Sequence, residues 1–595
     1  MLGVKNDPLS GQPGRADQDM ASRGTGPLKG SLGNRWAMAR ALRALPARGF
    51  VSQPEPRSIG LYARGRQLVA GNALFGGQLV ELKGRALWDI EQPDPGQADD
   101  IHGFTWLDDL AAVGDGQARA RAQEWVWDWI ARYGGGKGPG WSPDLTGRRL
   151  IRWINHALFL LSGRDKAQSE AYYAQVTAQT VFLSWRWKLA APGLPRFEAL
   201  VGLVSAGLAL VGMEKLVAPA VAALAAECGR EVDRQGGIPT RNPEELLEVF
   251  TLLTWAEQAL SEAGHMPPGA LVEAIERMAP TLRALRHADG GLARFHSGGR
   301  GMEGRLEQAL STAGVKPMAS GGQGLAMGFA RLQGGRTSVV IDASAPPAGR
   351  ASALAHASTL AFELTSGRRP MVVSCGSGAP FGPDWRLAGR ATPSHSTLAL
   401  DGFSSSRFRP GSELLTDRAE VHHLRLGAGE GGPFFSAAHD GWAATHGLSH
   451  MRTLTLSSDG RRLIGQDNLM AMTEAQKDRF ERLMTEGRLS GVGFALRFHL
   501  HPDVDATLDM GGNAVSIALK SGEIWVFRHS SEAVLSLDAS VYLQKGRLKP
   551  RPARQIVLSG RAMAFETPLG WTLAKAQDTP LAIRDLDREE MPVPL

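Results

Sequence analysis

Two histidines, His356 and His395, have the residue type and setting best suited to metal or proton chemistry. His356 lies in LAHASTLAFEL and His395 in RATPSHSTLALD, each beside an apolar, strand-like run. Imidazole nitrogens bind divalent metals and carry protons near neutral pH. Because zinc sites normally take at least three protein ligands, a third group must join the pair; otherwise the histidines form hydrogen bonds between strands. The candidates for the third ligand are Asp401, Asp384, His450 and Cys375.

Two carboxyl groups and one guanidinium, all from the first half of the chain, are the second candidate set. Glu198 lies in GLPRFEALVGL, and Arg241 and Glu245 lie in GIPTRNPEELLEV. Paired carboxyl groups can act as general acid and base, and a separation of roughly 5–9.5 Å would suit a glycoside hydrolase. Arg241 would contact an acidic ligand in a cleft. The alternative is structural, because the Asn-Pro-Glu-Glu that follows Arg241 is typical of a helix N-cap and first turn.

Trp185 and Trp187 alternate in the segment FLSWRWKLA, near the end of a helical pattern. An indole face on a concave surface can stack on a sugar ring, which makes both residues candidates for substrate binding. The alternative is that they fill the helical core, because aromatic side chains dominate the packing of protein interiors.

The elements that must position these residues change character along the chain. Residues 1–33 are polar and rich in Gly and Pro, which predicts disorder. A short basic amphipathic helix is predicted at Arg35–Phe50, and it either contacts an anionic membrane surface or docks on the next domain. Between residues 51 and 310, apolar residues recur at helical spacing in successive segments with short breaks. This pattern predicts paired antiparallel helices stacked in a ring or superhelix.

After residue 318 the pattern alternates with period two. Short segments such as RTSVVIDAS, HMRTLTLSSDG and EIWVFRHS are separated by Gly, Asp, Ser and Pro. Many short strands at this spacing predict a large antiparallel β-sandwich that reaches residue 595.

Composition and charge exclude some classes of protein. A net charge of +6 spread over 595 residues mildly favours acidic partners. There is no dense Lys/Arg block, so we expect no nucleic-acid binding. Cys228 and Cys375 form no metal spacing and no disulfide framework. The sequence contains no long apolar run of transmembrane type and no secretory signal segment, which predicts a cytoplasmic protein.

Four segments, taken in order, resemble the heparinase II/III-type polysaccharide lyases. They are HGFTWLDDL, GRRLIRWINHALFLLSG, the block from HASTLAFEL to HSTLALDG, and SHMRTLTLSSDGRRLIGQDNL with FALRFHLHPDV. The resemblance covers residues 55–590 and implies an α+β multidomain fold. An N-terminal α/α toroid would span residues 51–310 and a C-terminal antiparallel β-sandwich residues 318–595. It also implies a periplasmic or cell-envelope location, in conflict with the missing signal segment.

Enzymes of that family cleave uronate-containing polysaccharides by β-elimination. A base removes the C5 proton, the bond to O4 breaks, and a polar group or cation neutralises the uronate carboxylate. The family residues are kept at Gly193, Glu198, Gly236, Gly237, Arg241 and Pro243. Leu194 and Pro195 stand where the family has Asn and His, and Glu245 and Leu246 replace a Tyr-His pair.

The resemblance also bears on the metal. His356 and His395 match two ligands of the family's metal site, which often holds zinc, whereas Leu354, Ser358 and Ser374 replace other residues of that motif. The sequence therefore leaves two hypotheses. One is a lyase that acts on an acidic glycan through Glu198, Arg241 and Glu245. The other is a non-catalytic descendant that binds glycan or serves as a scaffold.

Overall fold

The computed structural model describes residues 32–90, 95–316, 324–409 and 411–579 of the chain. Helices dominate as far as residue 313. In none of these ranges is a helix long and apolar enough to cross a membrane. The helices are α1 (Leu32–Leu42), α2 (Tyr62–Val69), α3 (Pro95–Gly103), α4 (Trp106–Val113), α5 (Gly116–Tyr133), α6 (Pro143–Asn155), α7 (Ala157–Leu161), α8 (Lys166–Arg186), α9 (Leu194–Ala209), α10 (Val217–Glu231), α11 (Pro243–Glu262), α12 (Gly269–Leu285) and α13 (Arg305–Ala313).

Helix α9 lies at the centre of the helical half and packs against α6, α8, α10 and α11. Its closest neighbour is α6, because glycines face each other where the two helices cross. A Cβ at Gly147 would lie 2.3 Å from the carbonyl oxygen of Glu198, and a Cβ at Gly202 would lie 2.5 Å from the Cα of Gly147. The close crossing helps to fix the start of α9, where Glu198 lies.

The first helix is shorter than predicted. Helix α1 ends at Leu42 instead of continuing to Phe50, since the residue before a proline, here Leu45 before Pro46, disfavours helical backbone. Ala37 and Ala41 are buried against α8, which is the docked arrangement. Most of the residues predicted to be disordered, 1–31, lie outside the described residues.

Strands dominate from residue 329 onwards. A small hairpin, β1 (Asn72–Phe75) with β2 (Gln78–Glu81), interrupts the helical half. The strands that follow are β3 (Phe329–Gly334), β4 (Thr337–Asp342), β5 (Phe362–Ser366), β6 (Arg369–Val373), β7 (Leu398–Leu400), β8 (Arg407–Phe408), β9 (Leu415–Asp417), β10 (Val421–Gly429), β11 (Gly432–Trp442), β12 (Leu448–Leu456), β13 (Arg462–Met470), β14 (Val492–Leu500), β15 (Asp505–Asp509), β16 (Ala514–Ala518), β17 (Ile524–His529), β18 (Val534–Tyr542), β19 (Arg551–Ala562) and β20 (Glu566–Gln577). Three helices lie among them, α14 (Pro383–Arg390), α15 (Ala443–His446) and α16 (Glu474–Glu486).

Two antiparallel eight-stranded sheets form the sandwich. One runs β10-β11-β12-β13-β20-β17-β16-β15; the other runs β18-β19-β14-β6-β5-β4-β3, with β7 also paired to β14. Aromatic side chains from both sheets meet between them: the ring of Phe362 is stacked on Trp571 at 5.8 Å, and Phe498 meets Trp571 edge-on at 4.7 Å. The predicted fold class, a helical toroid followed by an antiparallel β-sandwich, is confirmed.

Candidate functional site

Arg241 lies in the loop before α11, at the contact between the helical half and the sandwich. A guanidinium has five N–H donors, and all five of those on Arg241 have acceptors. The acceptors are the carbonyl oxygens of Met327, Gly328, Ser344 and Ala345 and the carboxylate of Asp342, at distances of 2.6 to 3.3 Å. Arg241 therefore joins the two halves of the molecule and has no N–H group left for a ligand.

Asp342, at the end of β4, is the centre of a buried polar cluster. Besides Arg241, its carboxylate accepts a 2.7 Å hydrogen bond from the Ser358 hydroxyl and lies 3.4 Å from Nε2 of His296. Sequence reasoning missed Asp342 and His296. The available signal was the lone acid in the otherwise apolar run SVVIDAS, because a carboxylate at the end of a buried strand needs a partner.

His356 and His395 lie next to each other, with ring centroids 5.1 Å apart, and His296 lies 6.3 Å from His356. Nε2 of His356 accepts a hydrogen bond from the backbone N–H of Ser297 at 3.1 Å. Nδ1 of His356 and both ring nitrogens of His395 have no hydrogen-bond partner among the described residues. Burial holds the pKa of all three imidazoles well below the usual value, so they are neutral at pH 7.

The surroundings of the two histidines do not fit zinc. None of the proposed third ligands joins them: His450 binds Asp467, Cys375 lies 3.6 Å from Nδ1 of His499, Asp401 packs against Gly493, and Asp384 is exposed on α14. Within the described ranges, no group of three or more His, Cys, Asp or Glu side chains is placed to hold a metal ion.

Glu198, on α9, is engaged by an arginine from α6. The Arg148 guanidinium binds both carboxylate oxygens, with Nε–Oε1 and Nη2–Oε2 distances of 2.7 and 2.8 Å. Burial raises the pKa of Glu198, and the Arg148 charge opposes that shift. A carboxylate held in a two-point ion pair is poorly suited to accept a proton from substrate.

Glu245, the other candidate acid, lies in the first turn of α11. Burial raises its pKa to about 7, and the negative charges of Glu198 and Glu231 act in the same direction. Gly193 leaves room for two of these carboxylates: a Cβ at position 193 would stand 3.8 Å from Glu231 Oε2 and 3.9 Å from Glu245 Oε1. The pKa of Asp99 is likewise raised to about 6, mainly by burial, with Glu198 adding to the shift. We call Asp99, Glu198, Glu231 and Glu245 the carboxyl cluster.

A groove of about 280 Å³ separates the helical half from the sandwich next to α11. Both acids of its lining, Glu244 and Glu248, are paired with cations, and three further arginines, Arg64, Arg294 and Arg300, also line it. The Lys545 ammonium contacts the Glu244 carboxylate, and Arg305 binds both oxygens of Glu248 at 2.5 and 2.7 Å. The sequence carried no motif for these pairs, because their members come from distant elements.

The two candidate tryptophans differ in their surroundings. The half-exposed Trp185 meets Trp36 of α1 edge-on at 5.2 Å, and the Arg40 guanidinium lies 5.1 Å from its ring centroid. Trp187, just after α8, packs at the edge of the helical core and carries the Lys188 ammonium 5.5 Å from its ring. The structure therefore shows both rings in protein contacts. Sugar stacking on them stays a prediction.

Comparison with known proteins gives consistent results. A family model described as heparinase II/III-like, C-terminal, matches residues 316–572. The FtsZ-localized protein C of Caulobacter vibrioides is 30% identical to this chain over 556 residues, which cover 90% of this chain and 92% of the relative.

Solved structures of polysaccharide lyases share the whole architecture. A crystal structure of heparinase III superposes with a TM-score of 0.67 at 12% identity, covering 91% of this chain and 89% of the other. A heparan sulfate lyase from Pedobacter heparinus, solved as a mutant, gives a TM-score of 0.57 at 15% identity, covering 92% and 88%. At these identities the likeness is one of fold alone.

Proposed function

Because the chain belongs to the heparinase II/III-like family, we propose that it has kept the family fold without the lyase reaction and works as a binding or scaffolding protein. This proposal rests on the hydrogen bonds that Arg241 forms within the protein. β-Elimination at a uronate needs a cation or donor that neutralises the sugar carboxylate as the C5 proton leaves. Arg241 is the one cationic candidate at a family position, and all five of its N–H groups bind other protein groups.

The carboxyl cluster is a second argument against the reaction. Two unit negative charges 4 Å apart repel by about 4 kcal/mol at the effective dielectric constant of a protein surface. A uronate beside Glu245 would lie next to the acidic Glu231, and the nearby guanidinium of Arg148 is already bound by Glu198, where lyase chemistry needs positive charge or neutral donors. Leu194 and Pro195, at the start of α9, offer no side chain that transfers a proton.

The place of action that we propose comes from the relative. Its name describes a protein localised with FtsZ, and the similarity extends over nine tenths of both chains. We therefore propose that this chain is a cytoplasmic scaffold associated with FtsZ in a dividing bacterium. A fluorescent fusion expressed in its host should co-localise with FtsZ and become diffuse when FtsZ is depleted. A signal that is diffuse in both conditions contradicts this assignment.

One observation favours the lyase as the second candidate. A carboxyl group with a pKa near 7 suits a general base or acid at neutral pH, and burial raises the pKa of Glu245 to about 7. In this reading Glu245 would take the C5 proton of an acidic glycan.

An absorbance assay separates the two candidates. Purified protein is incubated with heparin, heparan sulfate, chondroitin sulfate, hyaluronate and alginate, and the unsaturated product is followed in the ultraviolet, with a family lyase as positive control. We expect no product from this protein on any polymer. Product formation by the wild type that is lost in Glu245→Gln overturns the scaffold proposal in favour of the lyase.

A further inference from the structure

Two neighbouring hairpins of one sandwich sheet end in glycine and arginine. The β3–β4 turn carries Gly335 and Arg336, and the β5–β6 turn carries Gly367 and Arg368. The backbone N–H of Gly367 donates to the carbonyl oxygen of Arg336 at 2.8 Å. A Cβ at Gly367, whose φ is +57°, would lie 2.9 Å from Nη2 of Arg336. The Arg336 guanidinium therefore lies over the tip of the adjacent hairpin.

A cavity of about 210 Å³ lies at these tips. Three guanidinium groups line it, and no lining residue carries a carboxylate. Two hydroxyl residues of the wall are held in place, because Thr337 donates to the carbonyl oxygen of Gly460 at 2.7 Å and Oγ of Ser338 lies 3.1 Å from Nδ1 of His287. The lining residues are Ala288, Arg331, Gln333, Gly335, Arg336, Thr337, Ser338, Gly367 and Arg368.

The positive charge of this cavity has no counter-charge in the described part of the chain. Arg331 donates Nε to Gln333 and Nη1 to the carbonyl oxygens of Ala284 and Arg286, at 2.8 to 3.3 Å, and it forms no ion pair there. Burial lowers the pKa of Arg331. Arg336 and Arg368 are exposed and form no ion pair with any described residue. Three like charges around one cavity repel each other, and an anion bound between them offsets this repulsion.

We propose that this cavity is a binding site for the phosphate or sulfate group of an anionic ligand. The planar fork of a guanidinium matches the oxygens of such groups and binds them through two parallel hydrogen bonds. The body of a larger ligand extends into a neighbouring cavity of about 340 Å³, which shares Ala288 and Arg368 with the first. That second cavity carries charges of both signs and accepts a polar, uncharged body. The site lies at the β3–β4 and β5–β6 hairpins, with Ala288 of the segment after α12 completing its lining, and it does not depend on the scaffold function proposed above.

Calorimetric titration of the full-length protein tests the proposal. Inorganic phosphate and inorganic sulfate are titrated at low ionic strength, with chloride at matched ionic strength as the reference. We expect saturable one-to-one binding of one or both oxyanions. Arg336→Gln and Arg368→Gln should each weaken it by about tenfold, the effect of losing one charge-assisted hydrogen bond. Both residues are exposed, so these variants are expected to fold where a change at the backbone-bound Arg331 would not.

Arg462→Gln is the matched control. Arg462 is exposed at the start of β13, in the other sheet, and does not line the cavity. An unchanged oxyanion affinity in this variant supports a specific site at the cavity. An equal loss of affinity in Arg462→Gln and Arg368→Gln would instead show that the oxyanion is attracted only by the overall surface charge, which contradicts the proposal. Absence of saturable binding of either oxyanion overturns the proposal. A comparison of glucose 6-phosphate with glucose 6-sulfate then decides which ester is the preferred ligand.

Discussion

The guanidinium of Arg241 and the carboxylate of Asp342 form a 2.6 Å ion pair that joins the loop before α11 to the end of β4. The aspartate is fully buried and the arginine nearly so. The same carboxylate holds Ser358, which stands where the family motif has an acid. Arg241, which the sequence suggested as a ligand-binding residue, therefore connects the helical half to the sandwich.

Arg241→Ala should destabilise the protein strongly. Removing one partner of a buried pair leaves the other charge uncompensated, at a cost of about 3–5 kcal/mol. Arg132→Ala is the control, because Arg132 forms ion pairs with Asp89 and Asp128 that are partly exposed, and such pairs contribute about 0–1 kcal/mol. Chemical unfolding followed by tryptophan fluorescence measures both. Equal effects of the two substitutions contradict the role assigned to Arg241.

Glu245→Gln should stabilise the protein most at pH above 7. Burial raises the pKa of Glu245 to about 7 from a reference of 4.5, so between these values the folded state binds more protons than the unfolded state. Stability is then lost as the pH rises through this window, and the neutral Gln side chain removes the loss. Melting temperatures from pH 4.5 to 8 test this, with the exposed Glu124→Gln as control. A difference between wild type and Glu245→Gln that does not grow with pH contradicts the prediction.

The buried histidines give the opposite pH dependence of stability to that of Glu245. Burial holds the pKa values of His356 and His395 well below 6.5, so below that pH the unfolded state binds the extra protons. Their contribution to stability is present above pH 6.5 and is lost as the pH falls through the unfolded-state value. His395→Gln should flatten the loss of stability between pH 7 and 5. The exposed His265→Gln is the control, and equal slopes in all three proteins would rule out the buried imidazoles as its source.

Gly202→Ala should destabilise the contact between α6 and α9. Its added Cβ would lie 2.5 Å from the Cα of Gly147, and overpacking of this kind costs about 1–3 kcal/mol. Gly229→Ala is the matched control, because Gly229 is helical in α10 and its Cβ would meet nothing within 4 Å. The control should be neutral or stabilising by up to about 1 kcal/mol, as alanine is the better helix former. Unfolding curves of both variants check the contrast, which a stabilised Gly202→Ala would contradict.

Local pattern was enough for the order and type of the elements. The apolar spacing of α9 and α11 and the alternation along β12 and β14 depend only on near neighbours in the chain. The N-cap was readable for the same reason: Asn242 accepts hydrogen bonds from the N–H groups of Glu244 and Glu245, two and three residues away. The helical pattern runs from Arg35 to Phe50, but the helix ends at Leu42, because Pro46 disfavours helical backbone at the residue before it.

The roles of the candidate residues depended on partners far along the chain. Arg241 meets Asp342 at a separation of 101 residues, and the His356 backbone meets His296 at 60. Arg331, Arg336 and Arg368, which line the cavity at the hairpin tips, lie on different strands and turns. Helical and strand periodicity is a property of consecutive residues, so the sequence alone determined the toroid and the sandwich. Which charges neutralise each other follows from how those two parts pack, and only the tertiary structure decided that.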